Sequence, residues 1–187
     1  MSRATVFLSV LSAATIALAL LADATGFGPQ TTTLALVLLP VVLFLGIAAH
    51  GRLVEINREE VELVLAMNRL RHAYLTIAPA LEPYFTTGHH DDEQGLAASY
   101  VAGGRRLRRW GQFLVNMPTI VATVDAALAA AIVVLVVRAA EAATTVAVAA
   151  GAVAFLVVWA ALFLLQRRAL DPGRRTTPRF PTPPDKA

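Results

Sequence analysis

The sequence predicts an all-α membrane protein with four transmembrane helices in two hairpins, the second helix extended into a long cytoplasmic amphipathic helix. Three observations carry this prediction. The chain of 187 residues is 57% hydrophobic with a mean hydropathy of +0.62, too apolar for a water-soluble domain of its size. Four apolar stretches reach the length, about 20 residues, that a helix needs to cross a hydrocarbon core. The basic residues gather on one side of those stretches instead of flanking both.

The first stretch runs from Ala4 to Ala22 and the second from Thr31 to Ala49, joined by "DATGFGPQ". The third runs from Phe113 to Val137 and the fourth from Thr144 to Leu165, joined by "RAAEAA". Both connections are short polar turns, so each pair of helices folds back as a hairpin. The chain divides into a first transmembrane hairpin (1–49), a cytoplasmic helical region (50–112), a second transmembrane hairpin (113–165) and a tail (166–187). The tail, "QRRALDPGRRTTPRFPTPPDKA", is rich in proline and charge, cannot build a core and is expected to stay disordered.

Orientation follows from the arginines, because basic residues near the ends of spans stay in the cytoplasm. Arg3 precedes the first stretch, and Arg52, Arg58, Arg69, Arg71, Arg105, Arg106, Arg108 and Arg109 lie in the middle region. The tail carries more, and only Arg138 falls in an outer turn. Both termini and the middle region are therefore expected in the cytoplasm. The alanine-rich composition, with Lys186 the single lysine, suggests a GC-rich bacterial genome, so the expected location is the bacterial inner membrane. A competing reading takes residues 1–24 as a cleaved secretory signal ending in "ADA"; the long apolar run weighs against it, and cleavage would remove one helix without inverting the rest.

In "GRLVEINREEVELVLAMNRLRHAYLTIAP", the residues Leu53, Ile56, Leu63, Met67, Leu70, Tyr74 and Ile77 recur at steps of three and four, with Glu60 the single break. No proline or glycine lies between Arg52 and Ala78, so the second span continues straight into this helix until Pro79 and Pro83 stop it. The charges on its other side, Arg52, Glu55, Arg58, Glu59, Glu62 and Arg69, read as a solvated face. The apolar stripe can pack on "LEPYF" and "GLAASYVAG" of the same region, or serve as an association seam between copies, with Asn68 beside it setting the register. Adsorption to an anionic membrane is disfavoured by the acidic flank. A homo-oligomer or a membrane partner protein is the expected associate.

In "GGRRLRRWGQF", Arg105, Arg106, Arg108, Arg109 and Trp110 precede the third span and are expected at headgroup level, as topology determinants or as a contact for anionic lipid. Nucleic-acid binding is not expected: the net charge is only +3 and the basic residues border a membrane segment. "TTGHHDDEQG" holds His89, His90, Asp91, Asp92 and Glu93, all metal-ligand types. Consecutive residues in one loop cannot all converge on one ion, and no helical histidine pair accompanies them, so a solvated acidic turn and no metal are expected. With no cysteine, there is no disulfide, thiolate site or cysteine nucleophile. No phosphate-binding glycine loop or nucleophile elbow appears, so no catalytic residue, cofactor or enzyme activity is expected.

Asp125 stands alone in the middle of the third span. An ionised carboxylate facing lipid there costs at least about 2.5 kcal/mol, so the side chain is expected to face other helices. Ser12, near the middle of the first span, and the Leu36 carbonyl freed by Pro40 in the second lie at similar depth and are expected to meet it as hydrogen-bonding partners. Such a contact acts as helix glue, or as one station of a proton or ion path.

The run "RLVEINREEVELVLAMNRLRHAYLTIAPALEPYF" followed by "HHDDEQG" resembles the cytoplasmic signature of a family of small bacterial integral membrane proteins with four predicted spans. The likeness is best over residues 44–95. It implies this architecture, no assigned activity and no functional residue. The function expected from the whole reading is a non-enzymatic scaffold or regulatory subunit that self-associates through its cytoplasmic helix, with an oligomeric proton or ion conductor built on Asp125 as the alternative.

Overall fold

The computed structural model describes residues 3–25, 28–101, 116–170 and 177–183. Among them there is no strand. The helices are α1 (Arg3–Thr25), α2 (Pro29–Ile77), α3 (Glu93–Val101), α4 (Met117–Ala139) and α5 (Thr144–Leu170), with a 3-10 turn at Pro79–Tyr84. Four of them, α1, α2, α4 and α5, are long and apolar enough to cross a membrane.

α2 is one unbroken helix of 49 residues, more than twice the length that crossing needs. Its interior Pro40 is exposed and the helix continues through it. It stops where Pro79 forces the preceding Ala78 out of helical geometry, to φ −140° and ψ 81°. α4 begins with Asn116 as cap: its side chain accepts from the Thr119 amide at 3.1 Å, and Pro118 occupies the first turn. α4 ends in a turn where Glu141 takes φ 59°, a left-handed conformation.

The chain forms two units. The apolar unit comprises residues 1–53 and 114–166. Its core is Phe7 and Ala14 of α1, Val42 and Ala49 of α2, and Val121 and Leu128 of α4. Gly151 lets α5 approach α4, since a Cβ there would stand 2.5 Å from Val134. α4 is the most enclosed helix: 33% of its most apolar window is buried, against 11% for α5. Outside the core, Leu20, Phe44, Leu156 and Leu165 are each at least 60% exposed, a surface suited to hydrocarbon and not to water.

The polar unit comprises residues 54–113 and 167–187. The second half of α2 is its backbone. Leu65 and Asn68 are buried on one face of this helix, whereas Leu63, Met67, Leu70 and Tyr74 stand exposed on another. The segment 88–101 packs on the buried face through Asn68.

The tail departs from its expected disorder in two places. α5 runs on to Leu170 and buries Gln166 completely. Residues 177–183 are held against the turn at 90–92 by backbone bonds to two aspartates. Proline favours an extended backbone that keeps its amides free to donate elsewhere, and buried carboxylates supply the acceptors.

Candidate functional site

Two places concentrate polar chemistry, one in each unit. In the apolar unit, Asp125 is fully buried among α1, α2 and α4. A Cβ on Gly46 would overlap its Oδ1 and stand 2.8 Å from Phe7 Cε2, so the absence of a side chain at Gly46 makes the space for the carboxyl group. Asp125 does turn inward among the helices. It does not meet the expected partners. Ser12 is exposed and donates to Leu8 O of its own helix at 2.9 Å, Pro40 is exposed, and neither carboxylate oxygen of Asp125 has a hydrogen-bond partner among the described residues. The reason is axial: Asp125 stands level with Phe7 and Gly46, five and six residues along their helices from Ser12 and Pro40, an offset of roughly 7–9 Å at the helical rise.

Near this carboxylate the same unit buries a second polar group that the sequence reading passed over. His50, one helical turn beyond Gly46 on α2, is 4% exposed, and its Nδ1 lies 3.0 Å from Pro118 O. Gln166 Nε2 donates to Asn116 Oδ1 and Thr119 Oγ1, at 3.3 Å each. His50 also meets the backbone of Leu162, and Gln166 Oε1 is buried without a hydrogen-bond partner among the described residues. Trp159 Nε1 donates to Thr123 Oγ1 at 3.2 Å, tying α5 to α4.

In the polar unit, Asn68 is the organising residue. It is fully buried; its Nδ2 donates to the carbonyls of His90 (2.9 Å) and Gly95 (3.2 Å), while its Oδ1 accepts from Arg71 (2.7 Å) and Ser99 (3.1 Å). All its capacity is spent inside one chain, so it cannot set a register between copies. Gly95 is needed here, because a Cβ would run into the His90 carbonyl.

Asp91 and Asp92 are not a solvated turn. Asp91 is 3% exposed and accepts from Arg69 Nε at 2.7 Å, from the Arg179 amide at 2.9 Å and from the Phe180 amide at 2.7 Å. Burial alone would raise its pKa, but the Arg179 amide, Arg69 and the Phe180 amide together outweigh that and hold it below the usual carboxylate range. Asp92 caps α3 by accepting from the Gly95 amide at 2.8 Å, and also holds Thr182 through its amide (2.6 Å) and hydroxyl (2.9 Å). Its pKa is lowered by these bonds, against burial, with the charge of His90 adding to them. Arg69, expected on a solvated face, is thereby committed to a buried partner, whereas Arg58 and Glu62 of that face pair at the surface at 3.0 Å.

No family model, curated protein or solved structure matches this chain.

Of the expected association face, Leu53 packs against the core of the apolar unit. Ile56, Leu63, Met67, Leu70, Tyr74 and Ile77 are all exposed. Glu60, the break in the stripe, accepts a hydrogen bond from Tyr100 of α3, and burial together with that acid raises the Tyr100 pKa above its ordinary value. Arg105, Arg106, Arg108, Arg109 and Trp110 lie outside the described residues.

His72 of α2, His89 and His90 come together in this unit. Each offers a ring nitrogen within 4.8 Å of the other two. Their meeting was invisible in the sequence, where His72 reads only as one polar position on a helix. The retrievable signal was their shared residue type, since three of the four histidines in the chain fall between 72 and 90.

Proposed function

We propose that this chain is an inner-membrane protein of bacterial type, with both termini in the cytoplasm and its four apolar helices crossing as two hairpins. It acts as a non-enzymatic scaffold or regulatory subunit, and the second half of α2 joins it to another copy of itself. The observation that carries this reading is the exposure of Ile56, Leu63, Met67, Leu70, Tyr74 and Ile77 while the same helix buries Leu65 and Asn68 elsewhere. Ile56, Leu63, Leu70 and Ile77 recur every seven residues, with Met67 and Tyr74 between them, which is the pattern of a two-helix seam. The intramolecular core does not use this stripe, and a second identical stripe covers it in register. The arginines at 105–109 and Trp110 serve as the headgroup contact, with anionic lipid as partner.

The test is the mass of the protein in detergent, by light scattering and by cross-linking. The wild type is expected as a dimer or larger, and Leu63→Glu with Leu70→Glu as a monomer of unchanged helicity. A wild type that is monomeric at micromolar concentration overturns the reading.

A second reading, a proton or ion conductor, is favoured by one observation: Asp125 and His50 are both buried in the apolar unit, and the Asp125 oxygens have no partner among the described residues. Flux into liposomes that disappears in Asp125→Asn supports it. Absence of flux in both proteins supports the scaffold.

A further inference from the structure

The loop that carries His89 and His90 is fastened to the helix that carries His72 by bonds that spare the imidazoles. Asn68 holds the carbonyls of His90 and Gly95, and Arg71 donates to the Gly88 carbonyl at 3.4 Å. The three rings are thus gathered by backbone anchoring, with centroids 4.3 Å apart for His89 and His90 and about 6 Å from each to His72, as measured at 6.1 and 5.9 Å. Three neutral imidazoles so close bring three nitrogen lone pairs to one place, a set of donors that a metal cation can accept.

We propose that His72, His89 and His90 form a binding site for a divalent transition-metal ion, zinc above all, and that the bound ion fastens the C-terminal segment 177–183. The ligand set fits. Three neutral imidazoles with a fourth position open are a recurring zinc arrangement, and imidazole in the absence of thiolates suits zinc, copper and nickel over magnesium or calcium. Nitrogens bound tetrahedrally at about 2.0–2.1 Å stand roughly 3.4 Å apart, so donors already within 4.8 Å need only side-chain rotation to converge.

Two further observations point to a ligand. The His90 Nδ1 lies 3.3 Å from the Phe180 carbonyl, which can only accept. That bond requires the proton on Nδ1 and leaves the Nε2 lone pair for a metal, the usual carbonyl support behind a ligating histidine. The His72 Nδ1 is buried without a hydrogen-bond partner, and coordination in the cluster restrains the ring that carries it. A cavity of about 260 Å³ opens beside His72 and His89 and gives access from solvent; Glu82 also lines it and can complete the coordination, or leave that place to water. Asp91 and Asp92 are spent on the tail and are not ligands, but their charge favours a cation nearby.

The tail touches the same histidines. The Phe180 ring stacks on His72 at 4.2 Å and 19°, leaving the in-plane lone pairs free, and its carbonyl holds His90. Metal and tail therefore favour the same two ring orientations, and each must strengthen the other to the same extent.

The test uses the full chain in detergent, purified without a histidine tag, stripped with EDTA and titrated with zinc chloride in a calorimeter. One zinc ion per chain is expected, bound at micromolar or tighter, with His72→Ala and His89→Ala each weakening it at least tenfold. Phe180→Ala is expected to weaken it at least threefold. Absence of stoichiometric binding, or binding unchanged in both histidine variants, overturns the site; unchanged affinity in Phe180→Ala overturns the coupling. Should a variant fail to fold, cobalt added to the wild type decides: intense visible absorption of a tetrahedral nitrogen site is expected, and the faint spectrum of the hydrated ion overturns the proposal.

Discussion

Gly46 of α2 faces Asp125 of α4 with no room for a methyl group between them, and Phe7 of α1 closes the third side. Gly46→Ala should therefore destabilise the protein by about 1–3 kcal/mol through overpacking, despite the better helix propensity of alanine. Gly51, on the same helix, has nothing within 4 Å of its Cβ position, so Gly51→Ala should stabilise by roughly 0.5–1 kcal/mol. Denaturant titration of both variants in one detergent, followed by circular dichroism, checks the opposite signs. Shifts in the same direction would contradict the close approach.

Asp91 and Asp92 carry lowered pKa values because the docked tail and Arg69 favour their charged forms. A depressed carboxylate contributes stability that is present above its unfolded pKa, about 3.9, and lost as the pH falls through the lower folded value. The tail should thus stay docked from neutral pH down to about pH 4 and come free below that. The chain has no cysteine, so Thr177→Cys carries a single spin label to report this, with EDTA present to exclude metal. Asp91→Asn should free the label at neutral pH at a cost of about 1.5–3 kcal/mol to docking, since it breaks charge-assisted bonds to Arg69 and two amides.

Asn68 is expected to be the most sensitive polar residue of its unit. Asn68→Ala removes a donor from the carbonyls of His90 and Gly95 and one acceptor each from Arg71 and Ser99, which keep only Gly88 O and Gly95 O, a loss of about 2–3 kcal/mol. Asn68→Asp should not rescue it, because a carboxylate presents acceptors to two carbonyls. Thermal melts of the two variants, each lower than wild type, are the check.

Glu141 holds a left-handed conformation at φ 59° in the turn between α4 and α5. Glu141→Gly should raise stability by up to about 1 kcal/mol, as glycine enters this region without the Cβ clash. Denaturant titration against wild type measures it.

Four apolar helices were legible in the sequence, although α5 runs five residues past the expected Leu165. So was the uninterrupted run of α2 to Ile77, since each depends on local composition and on where proline stands. The inward turn of Asp125 was legible for the same reason: a charge at that depth has few places to go. Its neighbours were not. Ser12 and Pro40 were matched to it by counting along the spans, but the helices pack with an axial offset that sets Phe7 and Gly46, five and six residues away, against it instead.

The tail shows the same division more sharply. Composition alone reads residues 177–183 as unable to fold, and by themselves they have no core to bury. Partners up to 90 residues away in the chain supply the acceptors for Arg179, Phe180 and Thr182. What the amino-acid order determines here is everything periodic and local: four apolar helices and the extension of α2, with apolar residues recurring along it. Only the tertiary structure decided that Asn68 gathers a distant loop, that two aspartates clasp the tail, and that His72 meets His89 and His90. Those pairings join segments whose separation carries no period, and they exist only once the helices have taken their rotations.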